Sequence, residues 1–183
     1  MSEDQFLRAK CFLEMKFRTK DFVPALGIKL STFHEFKYKG FLEFESFGSG
    51  KQVLLDGLTV LLARCFALIA ISGGSTKIQT KGLSNIVSQK NFGNFVFDSY
   101  NLKKEIPNYY IGYRASQPNS LRGRDNSYIC KGEWLFLGEK LEDSDIIDYV
   151  NSGNNTHFIP FCSVMNLTYI LLDLTNKISF KVN

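Results

Sequence analysis

Residues 19–55 contain two short helical patterns, separated by a glycine and followed by a strand–turn–strand pattern. Thr19 is predicted to cap the first helix, because its hydroxyl can accept a hydrogen bond from the first turn. Apolar residues then recur at i, i+1 and i+4, at Phe22, Val23 and Leu26. This spacing predicts one apolar face, and Gly27 is predicted to end the helix.

Ser31 or Thr32 is predicted to cap the second helix, and Gly40 is predicted to end it, because glycine adopts a left-handed conformation at least cost. Phe33 and Phe36 are spaced to pack on the first helix. The polar residues left on the outside carry groups that can reach base edges or phosphates in a major groove. They are Thr32, His34, Glu35, Lys37, Tyr38 and Lys39.

Two short strands, at 41–45 and 51–55, are predicted to form a hairpin across the turn at 47–50. In this arrangement Lys51 would lie on a wing beside a phosphate. The turn sequence Gly-Ser-Gly-Lys lacks the first glycine and the Ser/Thr of a phosphate-binding loop, so a wing turn is the better interpretation.

The order of these features resembles the DNA-binding domain of the MerR family of transcription regulators and related excisionase-type domains, over about residues 17–72. In that family the second helix begins with a small hydroxyl residue, carries a basic residue followed by aromatics, and ends at a glycine followed by two apolar residues. The matching residues here are Thr32, His34, Phe36, Gly40, Phe41 and Leu42.

The resemblance implies a winged helix-turn-helix, with major-groove readout by residues 31–39 and backbone contacts from a wing at 46–52. Two residues depart from the family pattern, since His34 replaces the usual arginine and Glu35 the usual aromatic residue. The expected DNA-binding residues are Arg18, Thr19, Ser31, Thr32, His34, Glu35, Lys37, Tyr38, Lys39, Ser49 and Lys51.

The formal net charge of the 183-residue chain is +4, which is small for a nucleic-acid-binding protein, so its distribution is more informative. Residues 77–131 have nine Lys and Arg against three Asp and Glu, whereas residues 132–183 have three against seven. The basic excess in residues 77–131 either extends the positively charged surface that is expected to contact the DNA backbone or forms an ordinary solvated surface.

Cysteine placement and hydropathy favour a cytoplasmic protein. The four cysteines are far apart and lack a nearby His or Cys partner, which is typical of reduced thiols. Charged residues interrupt 1–16, so no signal peptide is expected. The most apolar stretch, 58–71, has about 14 residues, fewer than the roughly 20 that span a bilayer.

Neither a catalytic site nor a metal site is expected, and no cofactor is predicted. His34 and His157 are the two histidines, and neither has an evident nucleophile or second ligand in sequence. The carboxylates in residues 139–148 lack the glycine and spacing of a calcium loop. The chain is therefore not predicted to be an enzyme.

A helix is predicted over residues 58–71, capped by Asp56. It is apolar almost all round, so a second domain or a second chain must cover it. The MerR resemblance implies the second chain, because that family dimerises through helices after the wing; burial inside the same chain is the alternative.

The remaining residues predict a mixed α+β domain over 91–183, preceded by a connecting helix at 75–90 and by the DNA-binding unit at 1–74. Strands are predicted at 91–97, 109–115, 127–137 and 157–161. Helices are predicted at 143–150 and from Ser163 to about Ile178. Residues 117–126, with Arg122 and Arg124, are predicted to form an exposed loop.

The expected fold class is therefore α+β, and the expected function is sequence-specific binding of double-stranded DNA by a homodimeric bacterial or phage transcription regulator. The alternative is a protein-interaction module that keeps the winged-helix scaffold without binding DNA. Glu35 and the low charge of the second helix favour that alternative, which predicts a protein partner.

Overall fold

A computed structural model describes residues 3–42, 54–72, 82–116, 131–140 and 162–180. These residues form a mixed α+β structure that is mostly helical, with two small sheets. The predicted α+β fold class is therefore confirmed. The predicted helix at 143–150, the strand at 157–161, the loop at 117–126 and most of the hairpin lie outside the described residues. The described ends of the hairpin differ from the prediction, because Phe41 and Leu42 lie in a bend and Leu54 and Leu55 pair with Arg18 and Phe17.

The N-terminal half begins with helix α1 (Glu3–Glu14) and strand β1 (Lys16–Arg18). Helix α2 (Thr19–Phe22) continues as a 3-10 turn (Val23–Leu26), and helix α3 (Leu30–Tyr38) follows. Strand β2 (Leu54–Asp56) pairs antiparallel with β1 and leads into helix α4 (Gly57–Ile71).

The predicted ends of these helices are partly correct. Gly27 and Gly40 both have φ near +70°, as expected for glycines that stop a helix. Asp56 caps α4 as predicted, because its carboxylate accepts a hydrogen bond of 2.7 Å from the backbone N–H of Thr59. The predicted N-caps of α2 and α3 are wrong: Arg18 and Lys29 occupy those positions, each in extended conformation.

The C-terminal half contains helix α5 (Leu83–Ile86), a π-helical turn (Gln89–Gly93) and helix α6 (Asn94–Lys103). Strands β3 (Tyr110–Ser116), β4 (Lys131–Gly138) and β5 (Cys162–Asn166) form an antiparallel sheet in the order β4-β3-β5. Helix α7 (Leu167–Lys177) follows β5 directly. The predicted strand at 109–115 is confirmed as β3, and the described part of 127–137 belongs to β4.

The strand predicted at 91–97 is wrong, because these residues belong to the π-helical turn and α6. Phe92 and Val96 are fully buried and Ser99 is 7% exposed, a spacing of i, i+4 and i+7 that follows a helix. The apparent alternation came from Phe95 and Phe97, which are only partly buried. Ser88 caps the segment through its hydroxyl, which accepts from the N–H of Asn91 at 3.3 Å.

The helix predicted from Ser163 begins four residues later. Ser163 lies in β5 opposite Tyr113 of β3, and the strand continues to Asn166. The Asn166 side chain then caps α7, accepting a hydrogen bond of 3.1 Å from the N–H of Tyr169. The long-range pairing with β3 therefore decides where the strand ends and the helix begins.

One hydrophobic core joins both halves of the chain, with α7 packed against α1 and α4. The apolar helix α4 is covered there, since Leu61 and Ala63 are fully buried and Phe66 is 1% exposed. Among the alternatives for covering α4, the structure shows burial within the chain. A second copy is not needed for that purpose.

Candidate nucleic-acid interface

Helix α3 presents a polar face because two of its aromatic residues are fixed in the core. Phe33 is 2% exposed and packs edge-to-face on Phe22 of α2, with ring centroids 5.3 Å apart. Phe36 is 3% exposed and packs edge-to-face on Phe66 of α4 at 6.1 Å. The i, i+3 spacing predicted that both rings pack on the first helix; Phe33 does so, whereas Phe36 packs on α4. Together the two contacts determine which side of α3 faces outward.

The outward side of α3 carries Ser31, His34, Glu35 and Tyr38, all exposed and spaced i, i+3, i+4 and i+7. Tyr38 is 92% exposed, so its ring is almost entirely in solvent. A hydroxyl, an imidazole, a carboxylate and a phenol therefore form one row along the helix. Such groups can donate to and accept from base edges.

The other predicted site residues lie around this row. Thr32 and Lys37 are half-buried on its sides, and Arg18 is exposed at the start of α2. Lys39 is exposed and donates to the Glu35 carboxylate at 3.1 Å, an i, i+4 ion pair. Exposed pairs of this kind contribute about 0.3–0.5 kcal/mol, so a phosphate could displace the carboxylate. Ser49 and Lys51 lie outside the described residues.

Basic residues are concentrated in the segment that contains these helices. Residues 16–39 have six Lys and Arg against two Asp and Glu. Lys29 is exposed at the N-cap of α3, whose first turn has no acidic residue. A cation at that end opposes the helix dipole and is unfavourable for α3 itself. An anionic partner would reverse this effect, since helix N-termini favour phosphates.

A cavity of about 430 Å³ lies between α3 and residues 19–26, which comprise α2 and the 3-10 turn and are called the α2 segment below. Its lining combines an apolar wall with a polar rim that includes two predicted site residues, Thr19 and His34. The full lining is Thr19, Lys20, Val23, Pro24, Leu30 and His34.

Sequence reasoning missed four of these residues as site residues, namely Lys20, Val23, Pro24 and Leu30. The predicted start of α3 at Ser31 or Thr32 excluded Leu30 from the helix. With the helix starting at Leu30, that residue lies one turn before His34 on the same side. A start at Leu30 would therefore have placed an apolar residue next to the polar row.

Among the described residues, no group of three His, Cys, Asp or Glu side chains is arranged to hold a metal ion. The same part of the chain contains no helix with the length and apolar character needed to cross a membrane. Cys11 and Cys65 are free thiols.

No protein-family profile, curated protein or solved structure matches the chain.

Proposed function

We propose that the chain is a sequence-specific DNA-binding protein that regulates transcription, with α3 as its recognition helix. The observation that carries the proposal is the row of Ser31, His34, Glu35 and Tyr38, exposed on a helix whose opposite side is held by two buried phenylalanines. A major groove admits one α-helix, and its base edges are read by hydrogen-bonding side chains in such a row.

The order of elements supports a winged helix-turn-helix. Residues 43–53 connect two positions that are held on the body of the protein: Leu42 is 3% exposed, and Leu54 pairs with Arg18. Strand β2 therefore lies beside the start of α2. We propose a wing at 46–52, with Ser49 and Lys51 on phosphates.

The distribution of charge supports phosphate contacts beside the recognition helix. Lys16, Arg18, Lys20 and Lys29 are exposed within the segment that leads into α3. Phosphate contacts supply most of the affinity of such proteins, and base contacts supply the specificity.

We further propose that the protein acts as a homodimer. Two recognition helices would then bind half-sites about one helical turn, roughly 34 Å, apart. Because α4 is buried within the chain, the contact between copies must use another surface.

A salt titration of binding to a random-sequence duplex tests the phosphate contacts. The logarithm of the affinity should fall linearly with the logarithm of salt concentration, with a slope of about −0.9 for each phosphate contact. Lys20→Gln and Lys29→Gln should each make the slope less steep by about 0.9. Lys103→Gln is the matched control, since Lys103 lies on α6 and pairs with Glu139 at 2.8 Å.

The base contacts are tested by His34→Ala. This substitution should change the preferred sequence while leaving the salt slope within error, because it removes a base contact and no phosphate contact. Absence of DNA binding by the wild-type protein at 50 mM salt would refute the whole assignment.

The second candidate function is a protein-interaction module built on the same scaffold. The Glu35–Lys39 pair reduces the positive charge of α3, while Leu30 and Tyr38, at its two ends, are 50% and 92% exposed. Exposed tyrosine is enriched at protein-binding surfaces. A partner bound through these groups would show little salt dependence, which separates this function from DNA binding.

A further inference from the structure

The cavity between the α2 segment and α3 has two chemically different sides. Val23, Pro24 and Leu30 form its apolar wall, while Thr19, Lys20 and His34 place a hydroxyl, an ammonium group and an imidazole around them. Pro24 and Leu30 are both exposed, Leu30 to 50%. An apolar group entering this cavity would cover surface that otherwise faces water.

His34 belongs both to the cavity lining and to the polar row of α3. If that row reads one base in the major groove, the adjacent base would lie over the apolar wall of the cavity. The major groove presents one apolar substituent, the C5-methyl group of thymine. A volume of about 430 Å³ far exceeds the roughly 10–15 Å³ that is enough to hold one water molecule. The methyl group and the base edge that carries it can therefore enter together.

We propose that this cavity takes the C5-methyl group of a thymine and so gives each half-site a preference for an A·T pair beside the bases read by α3. Lys20 and Thr19 on the rim would contact the neighbouring phosphate. This proposal rests on the proposed DNA-binding function and adds to it the identity of one base. A phosphate would not bind against the apolar wall, because the side chains of Val23, Pro24 and Leu30 have no hydrogen-bond donor.

Replacing thymine by uracil in the DNA tests the proposal, because this change removes the methyl group and leaves every hydrogen-bonding group in place. The duplex is the sequence that the wild-type protein itself selects from a random pool, and each thymine is replaced in turn. We expect about a fourfold loss of affinity at one thymine per half-site, the value for burial of one methyl group. Other thymines should show no change.

The variant Leu30→Ala tests whether the loss of affinity on uracil substitution arises in the cavity. In this variant the same uracil substitution should cause no more than about a twofold loss, because the α3 side of the wall is removed while Val23 and Pro24 remain. Leu102→Ala is the control, since Leu102 is 83% exposed on α6 and does not line the cavity. It should retain the fourfold loss.

The outcomes separate this proposal from the function on which it rests. If a sequence is selected but no uracil substitution changes the affinity, the thymine pocket is wrong and DNA binding stands. The same holds if Leu30→Ala keeps the full fourfold loss. If the protein selects no DNA sequence, the proposed function is wrong and the thymine pocket is wrong with it.

Discussion

Arg64 connects the turn between α2 and α3 to the rest of the protein, so its replacement should destabilise the fold measurably. The Nη1 atom of Arg64, on α4, donates to the backbone carbonyl oxygen of Leu26 at 2.6 Å. Its Nη2 atom lies 3.6 Å from Oδ2 of Asp173, on α7. The Arg64 and Asp173 side chains are 14% and 26% exposed, so solvent screens the pair only in part.

Arg64→Met keeps the unbranched apolar chain but removes both interactions. A hydrogen bond from a charged donor contributes about 1.5–3 kcal/mol, and its loss leaves the carbonyl of the fully buried Leu26 without this donor. The ion pair should add less than about 1 kcal/mol, because Asp173 keeps Lys177 at 2.8 Å. The expected loss is about 3 kcal/mol, which lowers Tm by about 9 °C in a chain of this length.

Urea and thermal unfolding followed by circular dichroism measure this loss. Lys177→Met is the matched control, since it removes the exposed partner of the same carboxylate and should cost less than about 1 kcal/mol. Arg64→Met combined with Asp173→Asn completes a double-mutant cycle that separates the ion pair from the carbonyl contact. A loss below about 0.5 kcal/mol for Arg64→Met would refute the assigned role, because it is the size of an ordinary surface substitution.

The close contacts and buried thiol of α4 allow two further tests. Gly57→Ala should lower the free energy of unfolding, measured in urea, by about 3 kcal/mol, because its Cβ would overlap the Phe12 carbonyl. Gly40→Ala should lower it by about 1 kcal/mol, because Gly40 has φ +70° but no described atom lies within 4 Å of the added Cβ. Equal losses for the two variants would contradict this reasoning. Burial raises the pKa of Cys65 from 9.0 to about 12. The unfolded thiol therefore ionises first as pH rises, and stability should fall between about pH 9 and 12 by up to ~1.4 kcal/mol per pH unit. Cys65→Ala should make this fall less steep, although burial also raises the pKa of Tyr109 and leaves part of the slope in place. An unchanged slope would show that the thiol is not a source of it.

The parts of the fold that were correctly predicted depend on short-range signals. Gly27 and Gly40 end helices because glycine adopts positive φ at little cost, and both do so here. Phe33 and Phe36 are buried as their spacing predicted. The α3 face followed from these residues, so its exposed row could be predicted from the sequence.

The parts that were wrong or absent depend on contacts between distant residues. Ser163 is in a strand because it pairs with β3 about fifty residues earlier, and the local sequence near it reads equally well as helix. The cavity needs the α2 segment and Leu30 at the start of α3, which the predicted helix start excluded. The Arg64–Asp173 contact joins α4 to α7 across most of the chain, which no pattern in either helix indicates.

Selection of bound duplexes from a random-sequence pool is the most direct test of the central claim, that α3 reads DNA. Wild-type protein should enrich a palindrome with half-sites about one helical turn apart, and raising the salt should weaken its binding. A variant with Ser31, His34 and Glu35 all replaced by alanine should lose the enrichment while keeping salt-sensitive binding to unselected DNA. Enrichment of the same palindrome by both proteins, or no retention of DNA by the wild type at low salt, would contradict the assignment of α3.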